Sequence, residues 1–273
     1  MSLASPSISP QELMALIGTP HAPLIFDTRR RAAFDEASRL IPGAKWHDHQ
    51  AVDEYAARIP MGREVVVCCV HGHQVSQSAV SQLRAHGINA RKLEGGIEAY
   101  MNAGGTTILK SDGLPKTYEA ASRWITRERP KIDRLACPWL IRRFVDPEAE
   151  ILYADADWVA ESAVELDAVA FDVPDVEFSH HADQCSFDAF IDRFDIQDDA
   201  LRRLTEIVRS ADTGRLDLAP EAAGLVAVSL GISAANEDDH AALMQGMVLY
   251  DALYSWLRHA SDETHNWPPA VSQ

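Results

Sequence analysis

The sequence predicts two fold classes in succession: an α/β domain with a parallel sheet, then a helix-rich α+β domain with a minor sheet. Short apolar runs alternate with helical patterns in the first half, whereas helical spacing dominates the second half. The charge also changes between the halves. Residues 1–105 hold 10 basic and 10 acidic residues, so the whole net charge of −16 lies in the remainder. Such a step in charge marks a domain boundary.

The first half is predicted to run strand, helix, strand. Pro23–Arg29 (PLIFDTR) and Glu64–Cys69 (EVVVCC) are too short and too apolar for surface helices, which favours buried strands. Residues 75–86 repeat apolar side chains at helical spacing and stop at Gly87. Residues 89–96 (NARKLEGG) follow as another short strand. This order is typical of an α/β unit with a parallel sheet.

The second half is predicted to be mostly helical. Residues 106–128 carry glycine, proline and mixed charge without a period, and we interpret them as a linker between domains at 8–105 and 129–260. Residues 200–214 and 241–257 place apolar side chains at three- and four-residue spacing. Two short strand candidates, EILYAD and AVAFDV, account for the minor sheet.

Composition excludes several classes of protein. Hydrophobic residues make up 47% of the chain, yet no run approaches the roughly 20 apolar residues of a membrane span. The N-terminus has neither the basic start nor the apolar stretch of a secretory signal. Four cysteines, two of them adjacent, make a poor disulfide framework, so we expect reduced thiols and a cytoplasmic location. The acidic surplus argues against nucleic-acid and membrane partners.

Cys69 stands where chemistry is expected, at the end of a predicted strand and before a loop that enters a helix. Backbone N–H groups of such a loop and the positive end of the helix dipole can hold a thiolate. Gly72 permits a tight loop. A thiolate there can accept a sulfur atom and pass it on through a covalent persulfide. Cys68 points to the opposite face of the strand, which predicts a packed side chain.

Residues 8–105 resemble a rhodanese domain. The matching motifs are LIFDTR with Asp27 and Arg29, IPGAKW, the Cys69 loop and LEGGIEAY. The resemblance implies that Cys69 bears the persulfide, that no cofactor is required, and that a small donor such as thiosulfate or a thiol persulfide supplies sulfur to an acceptor that stays unknown. It also implies an anion- or substrate-binding set composed of Val70, His71, Gly72, His73, Gln74, Val75, Asp27 and Arg29.

The cysteine loop departs from the rhodanese pattern at two positions. Many single-domain members carry Arg and Ser five and six residues after the cysteine, where this chain has Gln74 and Val75. The change removes a positive charge that helps to bind an anionic donor, and His71 and His73 replace it only when protonated. A cysteine phosphatase needs an arginine where Val75 stands, so that activity is disfavoured.

The densest chemistry of the second half lies in FSHHADQCSFD, which offers His180, Cys185 and Asp188. Imidazole, thiolate and carboxylate groups are common ligands of zinc, iron and manganese. Asp212 at a helix end, and Glu237–His240 (EDDH), could complete a site from elsewhere in the fold. The alternative is a polar surface turn with a helix cap at Ser186 or Asp188.

Residues from about 122 to 258 resemble the C-terminal, chromate-resistance domain of ChrB-like proteins. The resemblance rests on SRWITRERPKIDRLACPWLIRRF, FSHHADQCSFDAF, IVRSADTG, PEAAGLVAVSLG and MVLYDALYSWLR. It implies an association with bacterial chromate resistance, and its motif maps to His180, Cys185 and Asp188. With this resemblance we predict a site at His180, Cys185 and Asp212, which are the candidate metal ligands, with Asp133 and Arg134 placed nearby. Ala182 stands where the family often has glycine.

Three functions stay open from the sequence. The first is a sulfurtransferase that delivers sulfur from Cys69. The second is a metal- or chromate-responsive sensor in which the cysteine loop binds an anion without turnover. The third is a metal-dependent oxidoreductase in which the rhodanese domain is not catalytic. Reactivity of Cys69 separates the first from the second, and metal content of the second domain separates the third from both.

Overall fold

The structure of the chain is a computed structural model that describes residues 5–110 and 118–263. Residues 111–117 of the predicted linker, and the first four residues of the N-terminal segment assessed for a secretory signal, lie outside the described residues. The two predicted fold classes are confirmed: a parallel-sheet α/β region is followed by a helix-rich region with a small parallel sheet.

The first region alternates strands and helices along residues 5–110. Its strands are β1 (Ser7–Ile8), β2 (Leu24–Asp27), β3 (Arg39–Leu40), β4 (Ala44–Trp46), β5 (Glu64–Cys68), β6 (Asn89–Leu93) and β7 (Ile108–Leu109). Its helices are α1 (Pro10–Leu16), α2 (Arg31–Asp35), α3 (Val52–Ala56), α4 (Gln74–Ala85) and α5 (Gly96–Asn102). The main sheet has the order β1-β6-β5-β2-β4, and all of its pairings are parallel.

The centre of this sheet explains the apolar run that precedes Cys69. Strand β5 lies between β2 and β6, and its residues 65–68 are buried because helices cover both faces of a parallel sheet. The register pairs Asp27 with Cys68. The carboxyl ends of β2 and β5 therefore meet at one edge of the sheet, which brings residues 28–30 beside Cys69, at the edge where open α/β sheets bind ligands.

The second region packs helices on a three-stranded parallel sheet of order β10-β8-β9. Its strands are β8 (Arg123–Arg127), β9 (Glu150–Ala154) and β10 (Val169–Ala170). Its helices are α6 (Asp133–Leu140), α7 (Val159–Glu165), α8 (Ser186–Phe194), α9 (Asp199–Asp212), α10 (Ala222–Ala235) and α11 (Asp239–His259), and a π-helical turn (Ile141–Val145) continues α6.

Two strands lie inside the predicted linker. Strand β7 pairs antiparallel with β3, and β8 is the central strand of the second sheet. The sequence did not indicate β8 because arginines stand at both of its ends, while Trp124, Ile125 and Thr126 between them are buried. The segment 106–128 thus contributes one strand to each of two sheets.

The two regions share one continuous hydrophobic core. It joins Leu40 and Ile41 of the first region to Phe144 and Tyr254 of the second. The Gly43 N–H donates to the Phe144 carbonyl oxygen at 2.9 Å. Within residues 5–110 and 118–263, no helix has the length and apolarity to cross a membrane.

Candidate functional site

Cys69 lies at the floor of a cavity of about 590 Å³ at the carboxyl edge of the main sheet. The residue is 8% exposed, so its thiol contacts both the protein and the cavity. Thr28 holds the preceding peptide, since its N–H and its hydroxyl both donate to the Cys68 carbonyl oxygen. The cavity is lined by Thr28, Arg29, Arg30, Ala33, Cys69, Val70, His71, His73, Gln74, Val75 and Gln77.

A pair of glycines at the start of α5 shapes the cysteine loop. The Ile97 N–H donates to the Cys69 carbonyl oxygen at 2.9 Å, and the Glu98 N–H donates to that of Val70 at 3.3 Å. Gly72 has a φ of +69°, and a Cβ there would lie 2.8 Å from the backbone nitrogen of Gly96. Only glycine fits such a close approach in this conformation, so the backbone of the LEGG segment fixes the conformation of the cysteine loop.

On the side of the cysteine loop that faces away from α5, the backbone N–H groups are free to bind an anion. The C=O and N–H of a trans peptide point in opposite directions, so amides 70 and 71 face away from α5. In the described part of the chain, the N–H groups of residues 70–73 donate to no protein acceptor. The buried Ser76 hydroxyl, which the sequence analysis missed, lies 3.4 Å from the Cys69 sulfur and donates to the His73 carbonyl oxygen.

Cys68 is packed, as the strand alternation predicts. Its side chain is fully buried within the hydrophobic core. Burial, followed by the nearby Asp27 carboxylate, raises the pKa of the Cys68 thiol well above its ordinary value. The thiol therefore stays protonated, which leaves Cys69 as the accessible sulfur of the adjacent pair.

Asp27 and Arg29, both predicted for the anion-binding set, bind each other. The Arg29 guanidinium makes a bidentate pair with the Asp27 carboxylate, with Nε–oxygen distances of 2.9 and 3.0 Å. Asp27 is fully buried and Arg29 is 7% exposed. The guanidinium borders the cavity, but its charge is balanced inside the protein. His71 likewise pairs with Glu98 at 3.0 Å, on the exposed side of the loop.

A second cluster centres on His180 in the helix-rich region. The Nε2 atom of His180 lies 3.1 Å from an Asp212 oxygen and 3.3 Å from one oxygen each of Asp133 and Asp172. Asp133, His180 and Asp212 offer ligand atoms that lie within 4.8 Å of one another. Asp133 begins α6 and Asp212 ends α9, so the site joins distant elements. Carboxylate and imidazole groups in this arrangement fit a divalent transition metal.

Asp172 is the member that the sequence analysis missed. It follows β10 inside the strand candidate AVAFDV, where nothing but its acidity distinguishes it. The Ser186 hydroxyl donates to one of its oxygens at 2.9 Å, and Arg127 and Arg134 pair with the other at 2.8 and 3.1 Å. Arg134 thus lies near the site, as predicted, and acts on it through Asp172.

Cys185 and Asp188 form a helix cap outside the group of potential metal ligands. Cys185 is the N-cap residue of α8, and Asp188 accepts its backbone N–H at 3.0 Å. Arg209 pairs with Asp188 on its other side. Burial raises the pKa of the Cys185 thiol, so the thiol stays protonated. The structure therefore replaces Cys185 with Asp133 in the predicted set of His180, Cys185 and Asp212, and supports a capping role for Asp188.

The cluster retains protons that a cation could replace. Burial, followed by the negative charge of Asp133, raises the pKa of Asp212 to about 8. The hydrogen bond with Asp133 raises the pKa of His180 to about 9, against the effect of burial. Both shifts favour the protonated forms, so the carboxylates of this cluster attract positive charge. A divalent cation would supply such charge.

The parallel sheet, the cysteine after its central strand and the glycine-shaped loop define a domain of the rhodanese class. Residues 9–103 match the family model of the rhodanese-like domain, and residues 124–257 match that of the ChrB C-terminal domain. The chain therefore contains a rhodanese-like domain followed by a ChrB C-terminal domain.

The chain is similar to one curated protein and to solved rhodanese structures. It is 34% identical over 142 residues to Protein ChrB of Cupriavidus metallidurans, which covers 52% of this chain and 42% of that relative. The chain thus matches less than half of that protein's length. A rhodanese-related protein from Thermoplasma volcanium is 23% identical, with a TM-score of 0.34, over 39% of this chain and 100% of that one. A rhodanese-like domain protein from Staphylococcus aureus is 28% identical, with a TM-score of 0.33 and the same coverages.

Proposed function

We propose that this protein is a sulfurtransferase that carries sulfane sulfur as a persulfide on Cys69. The observation that supports this most directly is the position of Cys69: it lines a cavity together with residues of its own loop, and in the described part of the chain the N–H groups of residues 70–73 donate to no protein acceptor. A persulfide there would be held by N–H groups and by the N-terminus of α4. A rhodanese-like domain joined to a ChrB C-terminal domain further supports an association with chromate resistance.

The proposed transfer has two balanced steps. The Cys69 thiolate attacks the outer sulfur of thiosulfate, the sulfur–sulfur bond of the donor breaks, and sulfite leaves with the electron pair. An acceptor nucleophile, such as a thiolate or cyanide, then attacks the terminal sulfur of the persulfide and restores the Cys69 thiolate. The Ser76 hydroxyl, 3.4 Å from the sulfur, accepts from the thiol in the resting state. It could rotate to donate once the thiolate forms.

Intact-mass measurement of the reduced protein tests the proposal. After incubation with thiosulfate, or with a thiol persulfide, we expect a gain of one sulfur that cyanide removes. The Cys69→Ser variant should gain nothing. The Cys68→Ala variant is the matched control, because it removes the adjacent buried thiol and should still gain one sulfur.

One result would overturn the sulfurtransferase proposal. If iodoacetamide alkylates Cys69 readily but neither donor adds sulfur, the thiol is accessible and yet not a sulfur acceptor. The domain would then bind an anion without turnover, and the sensor function would take precedence.

We also propose that the second domain binds one divalent transition metal, with zinc, iron and manganese as candidates. The convergence of Asp133 and Asp212 on His180 supports this, since three distant segments contribute one ligand atom each. Asp172, held by two arginines, would orient His180 or complete the ligand set. Oxygen-rich donor sets favour manganese and iron over softer metals. A bound metal would supply positive charge and, if it is iron or manganese, redox chemistry.

Metal content of chelator-treated protein tests the second proposal. We expect manganese, iron under anaerobic conditions, or zinc to bind at one ion per chain, with Asp212→Asn reducing the affinity at least tenfold. Asp183→Asn is the matched control, since Asp183 is an exposed carboxylate in the loop that holds His180. Cys185→Ser should also leave binding intact. Equal binding by the Asp212 and Asp183 variants would contradict the proposed site.

A further inference from the structure

The cavity that Cys69 lines has basic residues but no acidic ones in the described part of its lining. Its described residues include two arginines and no carboxylate, although the chain has 41 acidic residues and a net charge of −16. Positive charge in a concave site raises the local concentration of anions and the rate at which they enter. The lining residues with a permanent charge are therefore basic, whereas the molecule as a whole is acidic.

The two arginines of the lining are not equivalent. Arg29 is buried in its bidentate pair with Asp27, so its charge is balanced within the protein. Arg30 is exposed, and among the residues that the structure describes no carboxylate lies within ion-pair distance of it. Arg31, the next residue, pairs with Asp35 and Glu119 and does not line the cavity. Of these three neighbours, only Arg30 both lines the cavity and has no carboxylate within ion-pair distance in the described part of the chain.

The fold explains why Arg30 and the cysteine loop line the same cavity. Strand β2 ends at Asp27, and α2 begins at Arg31, so Arg30 lies in the connection between them. Since β2 and β5 are adjacent and parallel, this connection and the Cys69 loop emerge at the same edge of the sheet. The loop itself has Gln74 where an arginine is common in rhodanese domains, and Arg30 and Gln74 line the same cavity, so Arg30 supplies a cation to a cavity whose loop lacks one.

We propose that Arg30 is the specificity-determining residue of the Cys69 cavity and selects anionic sulfane-sulfur donors, of which thiosulfate is the simplest. This inference rests on the proposed sulfur transfer for its donor class, whereas the charge selectivity follows from the cavity alone. The guanidinium would attract the sulfonate end of the donor and leave the outer sulfur directed at the Cys69 thiolate.

Two alkylating agents of similar shape test the charge selectivity without any sulfur transfer. Iodoacetate is an anion and iodoacetamide is neutral, and both alkylate a thiolate with loss of iodide. We expect Arg30→Gln to lower the ratio of their rates at Cys69 roughly three- to tenfold at low salt, with a smaller change at high salt. Arg31→Gln, which removes the same charge one residue away, should leave the ratio within about twofold.

Persulfide formation from thiosulfate gives the second readout. The Arg30→Gln variant should form the Cys69 persulfide several times more slowly, and adding Gln74→Arg should restore the rate by returning a cation to the loop. An unchanged alkylation ratio in Arg30→Gln would overturn the inference even if sulfur transfer proceeds. A lower ratio without any persulfide in the wild-type protein would instead overturn the proposed sulfur transfer, and Arg30 would remain the cation of an anion-binding cavity.

Discussion

At the scale of single residues, the surroundings of a charged side chain decide its role. Arg29 and Arg30 are neighbours of the same type, yet one is part of a buried ion pair and the other faces a cavity. Asp188 and Asp212 differ in the same way, since one caps a helix and the other contacts His180. Residue type alone therefore suggests the same role for two arginines or two aspartates, whereas the structure gives that role to only one of the two.

We predict that Asp27→Asn destabilises the protein by about 3 kcal/mol. The substitution leaves the Arg29 guanidinium buried without its bidentate partner. Urea denaturation measures the loss. The matched control is Asp35→Asn, which removes the partner of Arg31 in a half-exposed pair and should cost less than about 1 kcal/mol. Similar losses for both variants would show that burial of the pair has little effect on stability.

His47 gives the protein a predictable response to acid. Its ring packs against Phe26 and Tyr55, with centroid distances of 3.9 and 4.6 Å. Burial, followed by the charges of Lys45 and Arg58, lowers the pKa of His47 to about 4. Because the unfolded state takes up the proton near pH 6.5, this residue should cost stability as the pH falls from 6.5 towards 4.

The measurement is the free energy of unfolding at pH 7 and at pH 4.5, in the wild-type protein and in His47→Gln. We expect the wild-type protein to lose up to about 2 kcal/mol more than the variant between these values. His86→Gln, which removes an exposed histidine paired with Asp53, serves as the control and should keep the wild-type slope. Parallel slopes for the wild-type protein and His47→Gln would refute the assignment.

At the scale of elements, the site depends on which segments pack against one another. The Cys69 loop is shaped by the start of α5, and the connection after β2 supplies Arg30. The His180 cluster likewise needs the start of α6 and the end of α9. Neither site belongs to one element, so a change in packing between elements should alter its chemistry.

Gly96→Ala should disrupt the cysteine loop. A Cβ at this position would clash with the carbonyl oxygens of Cys69 and Val70, and the backbone has a φ of +65°. We expect a loss of 2 kcal/mol or more and strongly reduced sulfur loading of Cys69. Gly104→Ala is the control, because Gly104 also has a positive φ but a Cβ there meets nothing within 4 Å. It should cost about 1 kcal/mol and leave loading intact.

At the scale of the whole molecule, the two domains form one packed body. The hydrophobic core passes from one region to the other, and Lys45 of the first pairs with the buried Asp146 of the second at 2.9 Å. Arg39 pairs with Asp195 across the same boundary, and Arg258 donates to carbonyl oxygens of α1 and of the residue that follows it. We therefore expect the chain to unfold in a single transition.

Lys45→Met tests this coupling between domains. It leaves the Asp146 carboxylate buried without its cation, which should cost about 2–4 kcal/mol and shift the unfolding of both domains together. Tryptophan fluorescence and far-UV circular dichroism during urea denaturation should give coincident curves. Arg123→Gln, at an exposed pair with Glu150, should change the stability by less than about 1 kcal/mol. Two separated transitions in Lys45→Met would contradict a shared core.

The sequence by itself determined the two fold classes and the position of Cys69. Apolar periodicity, helix stops and glycine turns are local signals, so they identify strands β2, β5 and β6 and helix α4 without knowledge of the fold. The run EVVVCC is sufficient to place the cysteine at the end of a buried strand, and the structure shows that this strand is central in the sheet. The motifs that resemble the ChrB C-terminal domain likewise identify the second domain.

Only the tertiary structure decided which side chains act together. Asp133, His180 and Asp212 are distant in sequence and converge because α6, α9 and the loop before α8 pack together. The same holds for the pairing of charges, since Asp27 forms an ion pair with Arg29 and not with Arg30. The spacing of Cys185 could not show whether this residue is a metal ligand or the cap of a helix, and the structure places it at the N-cap of α8. Periodicity reports local conformation, whereas ion pairing and ligand geometry depend on distances between segments, which the fold alone sets.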